Sequence, residues 1–421
     1  MIGSIQTTVE RAPIDPTMLV ETWQTGVVDT NQIKSRLTQQ WLRLKGPRPQ
    51  RLSGLTRASG EAPESEVASR IYARTNTTNL IVVARSSAQV ARGEWAIAGL
   101  QTHYPTRAIT VGSDPGLDRP AVDTDRESGP ITISTRLVRP DSGSPVVGHF
   151  ESITVLGGPR RLGNPLNTAL PLSVSDLPIV VWWVGDMQYD FGVFRDMTEA
   201  SDRMIVDTAG LGDVQRGLTT LAPLAKSERQ RTGVLADMAW LRLRDWRNLI
   251  AQFYDAPPHP DALSAIGTVT VAYVADPEPG QVSGLSSAML LVGWLASRLG
   301  WRLDDRLTRT SSGLRLVFTS SGNRPVIVRL HPSSDGVATT GLSNVTVTSS
   351  GVARAEFRIE QFSESELLTT SILPDHPPMT RHVIVSPHDD SALLESVLRD
   401  AGRDPVFDDA LATIADIFAR R

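Results

Sequence analysis

The chain has 421 residues, 40% of them hydrophobic and 21% charged, with a net charge of −4. That is ordinary globular usage over a length that favours two or three domains. The chain has no cysteine, which excludes a disulfide framework, a thiolate nucleophile, Cys-ligated zinc and a thiol redox switch, and its mildly acidic balance predicts no nucleic-acid partner.

The longest apolar run, Ala288 to Ala296, is far short of the roughly 20 residues that span a bilayer, and the N-terminal stretch lacks a signal-peptide core. No membrane association is expected, and a cytoplasmic location is. Residues 1–31, with Pro13 and Pro16 and no sustained periodicity, are predicted to be an extended arm. From Gln32 to Lys45 the spacing of Ile33, Leu37, Trp41 and Leu44 predicts a helix, stopped by Gly46-Pro47. The run NLIVVARS from Asn79 reads as a buried strand and SAQVARGEWAIAGLQ as the helix after it, a crossover unit.

Further strands are predicted at 107–112, 131–138, 150–156, Ile179 to Val184 and 203–207, with helical pieces between several of them. Continuous apolar strands alternating with helices predict an α/β domain over 32–255, built on a largely parallel sheet with covering helices. The alternating strand 131–138 suggests an antiparallel edge. A long helix is predicted over 235–255, where Ala239, Leu243, Trp246, Ile250 and Phe253 form one apolar stripe. The breaker cluster Pro257-Pro258-His259-Pro260 is read as the linker, with an alternative boundary near 157–168.

A smaller α+β domain is predicted over 256–421. It comprises an apolar helix from Ser286 to Gly300, strands around 314–319, 325–331, 342–348, 352–360, 367–373 and 382–386, and helices near 389–400 and 405–419. Asp389 or Asp390, and Asp404, are available as their N-caps.

Several motifs were weighed for chemistry. IVDTAG, Ile205 to Gly210, has the wording of a GTPase switch segment, but none of the lysines, Lys34, Lys45 and Lys226, sits in a phosphate loop. GGPRRLG lacks the G-x-G-x-x-G order and reads as a solvated turn, with phosphate contact by Arg160 or Arg161 as the sharper alternative. SPHDDS, Ser386 to Ser391, offers an imidazole beside two carboxylates, a start on a zinc site, but Asp389 and Asp390 fit a helix N-terminus better. There is no G-x-S-x-G elbow. Adjacent Trp182 and Trp183 point to opposite faces of a strand, so they do not share a pocket wall.

The segments TNTTNLIVVARSS, HYPTRAITV, LSVSDLPIVVWWVGD, SDRMIVDTAG, DMAWLRLRDWRNLIAQFYD and AMLLVGWLASRLGW, within residues 75–301, resemble the glucose-6-phosphate dehydrogenase assembly protein family, OpcA. The most specific parts are Asp-Leu-Pro before Trp182-Trp183, and Trp240-x-Arg242-Leu243 followed by Trp246-Arg247. Val184 stands where the family often has arginine, and Tyr104 separates His103 from Pro105. The resemblance implies a non-catalytic assembly factor and allosteric activator whose partner is glucose-6-phosphate dehydrogenase, acting in the oxidative pentose phosphate pathway. No cofactor and no metal are expected. Thiol-dependent control, associated with photosynthetic relatives, is closed to a cysteine-free chain.

The residues assigned to the partner contact are Trp240, Arg242, Arg244 and Arg247, because aromatics and arginines are enriched at binding hot spots and some lie off the apolar stripe. The competing reading is an α/β enzyme or sensor that binds a sugar phosphate or nucleotide at the strand ends near Asp186 and Asp207.

Overall fold

The computed structural model of the chain describes residues 19–45, 72–74, 76–101, 104–118, 131–138, 147–226, 234–255, 260–275, 284–333, 341–350, 354–374, 376–386, 388–400 and 402–420. They group into two units, Met1–Pro178 and Ile179–Arg421. The join expected at 255–256 therefore falls within the second unit and the alternative at 157–168 within the first; residues 256–259 of the breaker cluster lie outside the described residues.

In the first unit, β1 (Leu19–Thr25) and α1 (Thr30–Lys45) precede the short β2 (Tyr72–Arg74). β3 (Thr78–Ala84), α2 (Ser87–Leu100) and β4 (Thr106–Ser113) form the expected crossover, with β3 and β4 parallel and every residue of both strands buried. β5 (Ile131–Val138), β6 (Val147–Gly157), α3 (Pro159–Leu162) and α4 (Pro165–Leu172) complete the unit. Its strand order is β1-β5-β6-β4-β3, with β2 on β6.

Two expectations change here. β5 is antiparallel to β6, but it is not the edge, because β1 pairs antiparallel with its other side. Residues 19–25 of the expected arm are thus a strand, while 1–18 lie outside the described residues. The strand escapes a hydrophobic-periodicity test because polar Glu21 and Thr25 share the half-buried side with Leu19 and Trp23.

The predicted helix face is core: Ile33, Leu37 and Trp41 of α1 are buried. The Trp41 indole N–H donates to Glu151, a fully buried carboxylate on β6 that also pairs with Arg107 of β4. Arg107 Nε donates in turn to the Leu172 carbonyl at 2.6 Å, at the end of α4. A charge buried this deeply is tolerated only when paired and hydrogen-bonded on several sides. Asn79, also fully buried, binds the loop before Pro178 from both sides: its Nδ2 donates to the carbonyls of Val174 (2.8 Å) and Leu177 (3.1 Å), and its Oδ1 accepts the Val174 N–H (2.8 Å).

The second unit opens with β7 (Ile179–Trp183), α5 (Phe191–Glu199), β8 (Arg203–Val206), α6 (Val214–Lys226) and β9 (Val234–Asp237), in which β7, β8 and β9 are parallel. Trp182 and Trp183 are both buried, and Trp183 meets Phe194 of α5 edge-on with ring centroids 5.4 Å apart. They pack the strand into its layers.

The predicted long helix is three elements: its first residues are β9, followed by α7 (Met238–Arg242) and α8 (Arg244–Asp255). Pairing with β8 draws Leu235 to Asp237 into the sheet, and the Asp237 side chain accepts the Ala239 N–H, capping α7. The stripe itself is core, with Ala239, Leu243, Trp246, Ile250 and Phe253 all buried.

There follow α9 (Pro260–Ser264), β10 (Ile266–Val274), α10 (Leu285–Leu299), β11 (Arg302–Leu303), β12 (Thr308–Thr310), β13 (Gly313–Thr319), β14 (Pro325–Ser333), β15 (Leu342–Ser349), β16 (Ala355–Ser363), β17 (Glu366–Ile372), β18 (Met379–Ile384), α11 (Asp390–Arg399) and α12 (Pro405–Ala419). The strands form a sheet in the order β11-β13-β14-β10-β15-β16-β17-β18, with β12 on β13. Its pairings are antiparallel except β10 with β14. Alternate residues such as Phe357 and Ile359 face the core, where Phe357 stacks on Phe253 of α8 at 4.5 Å. α10 and α12 meet at Gly293, where a Cβ would lie 2.5 Å from the Ala410 carbonyl oxygen. No helix among the described residues is long and apolar enough to cross a membrane.

Candidate functional site

Three carboxylates follow the parallel strands of the second unit, and each is engaged. Asp186, beyond β7, accepts the Gln188 N–H through one oxygen and the Gly212 N–H through the other, both at 2.9 Å. Asp207, beyond β8, is gripped by Arg242 of α7 through two bonds of 2.8 and 3.0 Å. Asp237, at the end of β9, accepts the Thr208 N–H (3.0 Å), the Thr208 hydroxyl (2.6 Å) and the Ala239 N–H (3.1 Å). Burial pushes the Asp237 carboxyl up to about 6; the Thr208 bonds pull it back and the Asp207 charge adds to the rise.

Residues assigned from sequence to separate roles are thereby brought together. Arg242, expected at a partner contact, and Asp207, expected at a ligand site, are partners of each other. Arg242 also lies 3.5 Å from Asp390, one of the SPHDDS carboxylates. The other two SPHDDS side chains diverge: His388 Nε2 faces Asp245 of α8 at 3.3 Å, while Asp389 caps α11 by accepting the Ala392 N–H at 2.8 Å. That bond holds the Asp389 carboxyl below its ordinary value. No group of three or more metal-ligating side chains forms among the described residues.

Trp240 is buried, and its indole N–H donates to Asp404 at 2.7 Å. Its ring lies 5.5 Å from that of Phe407, and the Arg247 guanidinium covers it at 3.4 Å. Asp404 meanwhile caps α12, accepting the N–H groups of Val406 (2.9 Å) and Phe407 (3.1 Å). Beside this stack is an open pocket of about 560 Å³, counting the part continuous with solvent, whose lining includes Arg203, Leu235, Trp240, Arg244, Arg247 and Phe407. Arg203 is spent on the end of α11, donating to the carbonyls of Val397 (2.8 Å), Asp400 (2.5 Å) and Gly402 (2.9 Å).

Arg244 is exposed and reaches Ser396 Oγ at 3.1 Å. Arg247 is largely buried; desolvation lowers it to about 10, Arg244 adds to the lowering and Asp404 opposes it. In the GGPRRLG segment, Asp118 accepts the Arg160 N–H at 3.0 Å and Arg161 donates to the Gly26 carbonyl at 3.2 Å. Asp237 and Thr208 lie in segments quoted above, DMAWLRL and IVDTAG, but the sequence assigns neither residue a role. An Asp at the end of an apolar strand, just before Met-Ala-Trp, is the N-cap signal that marks Asp237.

Two family models match in tandem. One, described as the glucose-6-phosphate dehydrogenase subunit N-terminal domain, covers residues 98–223; the other, described as its C-terminal domain, covers 234–411. The chain belongs to the OpcA family. A relative named OpcA in Nostoc punctiforme, whose name assigns it provisionally to the OxPP cycle, is 33% identical over 153 residues, 36% of this chain and 30% of that one. OpcA of a Synechocystis species is 28% identical over 151 residues, again 36% of this chain and 30% of the relative. The matched stretch is thus less than a third of the length of these two OpcA proteins.

Among solved structures, a variant of a 3-ketoreductase from Actinomadura kijaniata matches with a TM-score of 0.47 at 12% identity, over 82% of this chain and 96% of that one. An oxidoreductase from Sinorhizobium meliloti matches with a TM-score of 0.46 at 13% identity, over 82% and 97%. Both scores are below 0.5, and no inference about chemistry rests on them.

Proposed function

We propose that this chain is a non-catalytic assembly factor and allosteric activator of glucose-6-phosphate dehydrogenase, serving the oxidative pentose phosphate pathway. The observation that carries the reading is the tandem match to both domains of the dehydrogenase-subunit family, over 98–223 and 234–411. An activator of this kind binds the active conformation of the enzyme more tightly than the inactive one and shifts its population. No reaction of its own is required, and the strand-end carboxylates Asp186 and Asp207 act in this reading as internal braces.

Two features support a docking role. Phe362, Ile372, Met379 and Ile384 are exposed large apolar side chains, and all lie on β16 to β18. Among the described residues β18 ends its sheet, so one side of it presents backbone N–H and C=O groups to a partner strand. Of the four residues first assigned to the contact, Arg244 is the exposed one and the natural direct contact; Trp240, Arg242 and Arg247 support the surface behind it.

The test is the mass of a mixture with the cognate dehydrogenase, by light scattering after size exclusion, for the unaltered chain and for Ile384→Lys. Ile384 is 87% exposed, so the variant keeps the fold. A complex that forms with the unaltered chain and weakens at least tenfold with the variant supports both the partner and the surface. Absence of any complex at micromolar concentrations rejects the reading.

A further inference from the structure

We propose that the pocket beside α7 and α8 is a binding site for a small phosphate monoester, whose phosphate is held between Arg244 and Arg247. The inference concerns the isolated chain; it shares Arg244 with the proposed dehydrogenase contact and is tested without the enzyme.

The first observation is a pair of neighbouring cations without a direct ion-pair partner. Arg244 and Arg247 both line the pocket, and among the described residues neither has a carboxylate within ion-pair distance. The donors of Arg244 meet one hydroxyl, that of Ser396, and the Arg247 Nη2 makes one long bond of 3.4 Å to the Trp240 carbonyl. The Nε of Arg247 is buried and has no hydrogen-bond partner at all. A guanidinium presents five N–H donors, and leaving them unmet is costly, so the Arg244 and Arg247 donors that line the pocket favour an acceptor there, the enclosed Nε excepted.

The second observation concerns the other charges of the lining, Arg203, Asp237, Asp400 and Asp404, which are turned to internal work. Arg203 is bound to three carbonyls at the end of α11. Asp404 spends one oxygen on two N–H groups of α12 and the other on the Trp240 indole. Asp400 accepts the Gly402 N–H at 3.2 Å, and Asp237 is held by Thr208 and Ala239. These bonds orient the carboxylates without removing their charge, so an entering anion is drawn to the unmet donors of Arg244 and Arg247, which have no carboxylate within ion-pair distance among the described residues.

Charge matching selects the ligand class. A phosphate monoester carries about −1.5 to −2 near pH 7 and three acceptor oxygens, enough to satisfy both guanidiniums, whereas a monocarboxylate offsets only one. The ester substituent has an apolar wall to lie on, Leu235 and Phe407, at a pocket that opens to solvent. Arg247, held over the Trp240 ring at 3.4 Å, is preorganised to receive it.

The experiment uses the full chain without the dehydrogenase. Inorganic phosphate, a hexose monophosphate, a nucleoside monophosphate and acetate are titrated by calorimetry and thermal shift, against the unaltered chain, Arg244→Gln and Arg247→Gln. Arg244 is exposed, so its variant folds; Arg247→Gln removes the stack on Trp240, and its melting curve is recorded first. We expect saturable binding of at least one phosphate ester with a Kd below about 1 mM, weakened at least tenfold by Arg244→Gln, and tighter than inorganic phosphate if the apolar wall is used. Inorganic phosphate binding as tightly as the esters would assign the site to free phosphate. No phosphate binding, acetate binding equally well, or affinity unchanged in Arg244→Gln would each overturn the proposal, and none would touch the dehydrogenase reading.

Discussion

Arg242 and Asp207 face each other fork to fork, with bonds of 2.8 and 3.0 Å, and Asp207 is 3% exposed. The pair fastens α7, and with it the Trp240 stack, to the carboxyl end of β8. A bidentate guanidinium–carboxylate contact fixes orientation as well as distance.

Removing one member of a buried pair costs more than the pair contributes, because the other charge stays buried. Arg242→Leu is expected to lower unfolding free energy by about 3 kcal/mol. Adding Asp207→Asn should restore part of that loss. Urea unfolding of the two single variants and the double variant measures the coupling; additive effects would show that the contact is incidental.

Asp237 makes stability depend on acidity in a defined direction. With its folded-state value raised from 3.8 to about 6, the carboxyl holds its proton more tightly in the folded chain than in the unfolded one. Its contribution is therefore greatest below the ordinary carboxylate range, declines as pH rises toward 6, and is constant above that. The decline should be on the order of 2 to 3 kcal/mol, with Asp207 as the neighbouring charge. Asp237→Asn should remove this slope while leaving the rest of the pH profile in place, as read from unfolding free energies between about pH 4 and pH 7. An identical slope in the variant would refute the assignment.

Asn79 and Gly293 test two packing claims. Asn79→Ala strips three hydrogen bonds from the loop before Pro178 and leaves part-buried backbone groups unmet, a loss of about 1 to 2 kcal/mol. Gly293→Ala places a methyl group against the Ala410 carbonyl and the Ile414 side chain, forcing α10 from α12 at a cost of about 1 to 3 kcal/mol. Thermal unfolding checks both, and wild-type melting temperatures would contradict the close approaches described.

How much of this was readable from sequence follows from the range of each interaction. The stripe from Ala239 to Phe253 and the opposed faces of Trp182 and Trp183 are set by helical and strand periods, so they could be read locally. The caps Asp389 and Asp404 were readable for the same reason. Trp240 could not be placed, because its partner Asp404 is 164 residues away. Arg242 and Asp207, 35 residues apart, looked like features of two different sites until the fold closed them on each other. The break between β9, α7 and α8 was hidden because a strand pairing overrode a helical pattern, and β1 because polar residues occupy its inner side.

The central claim is that this chain changes the activity of another protein. The most direct measurement is a titration of the purified chain into the cognate glucose-6-phosphate dehydrogenase while the steady-state rate is followed. A saturable rise in rate, with a midpoint matching that of complex formation, is the predicted result. A rate that stays flat while the complex forms would mean a scaffold without allosteric effect, and a flat rate with no complex would contradict the claim altogether.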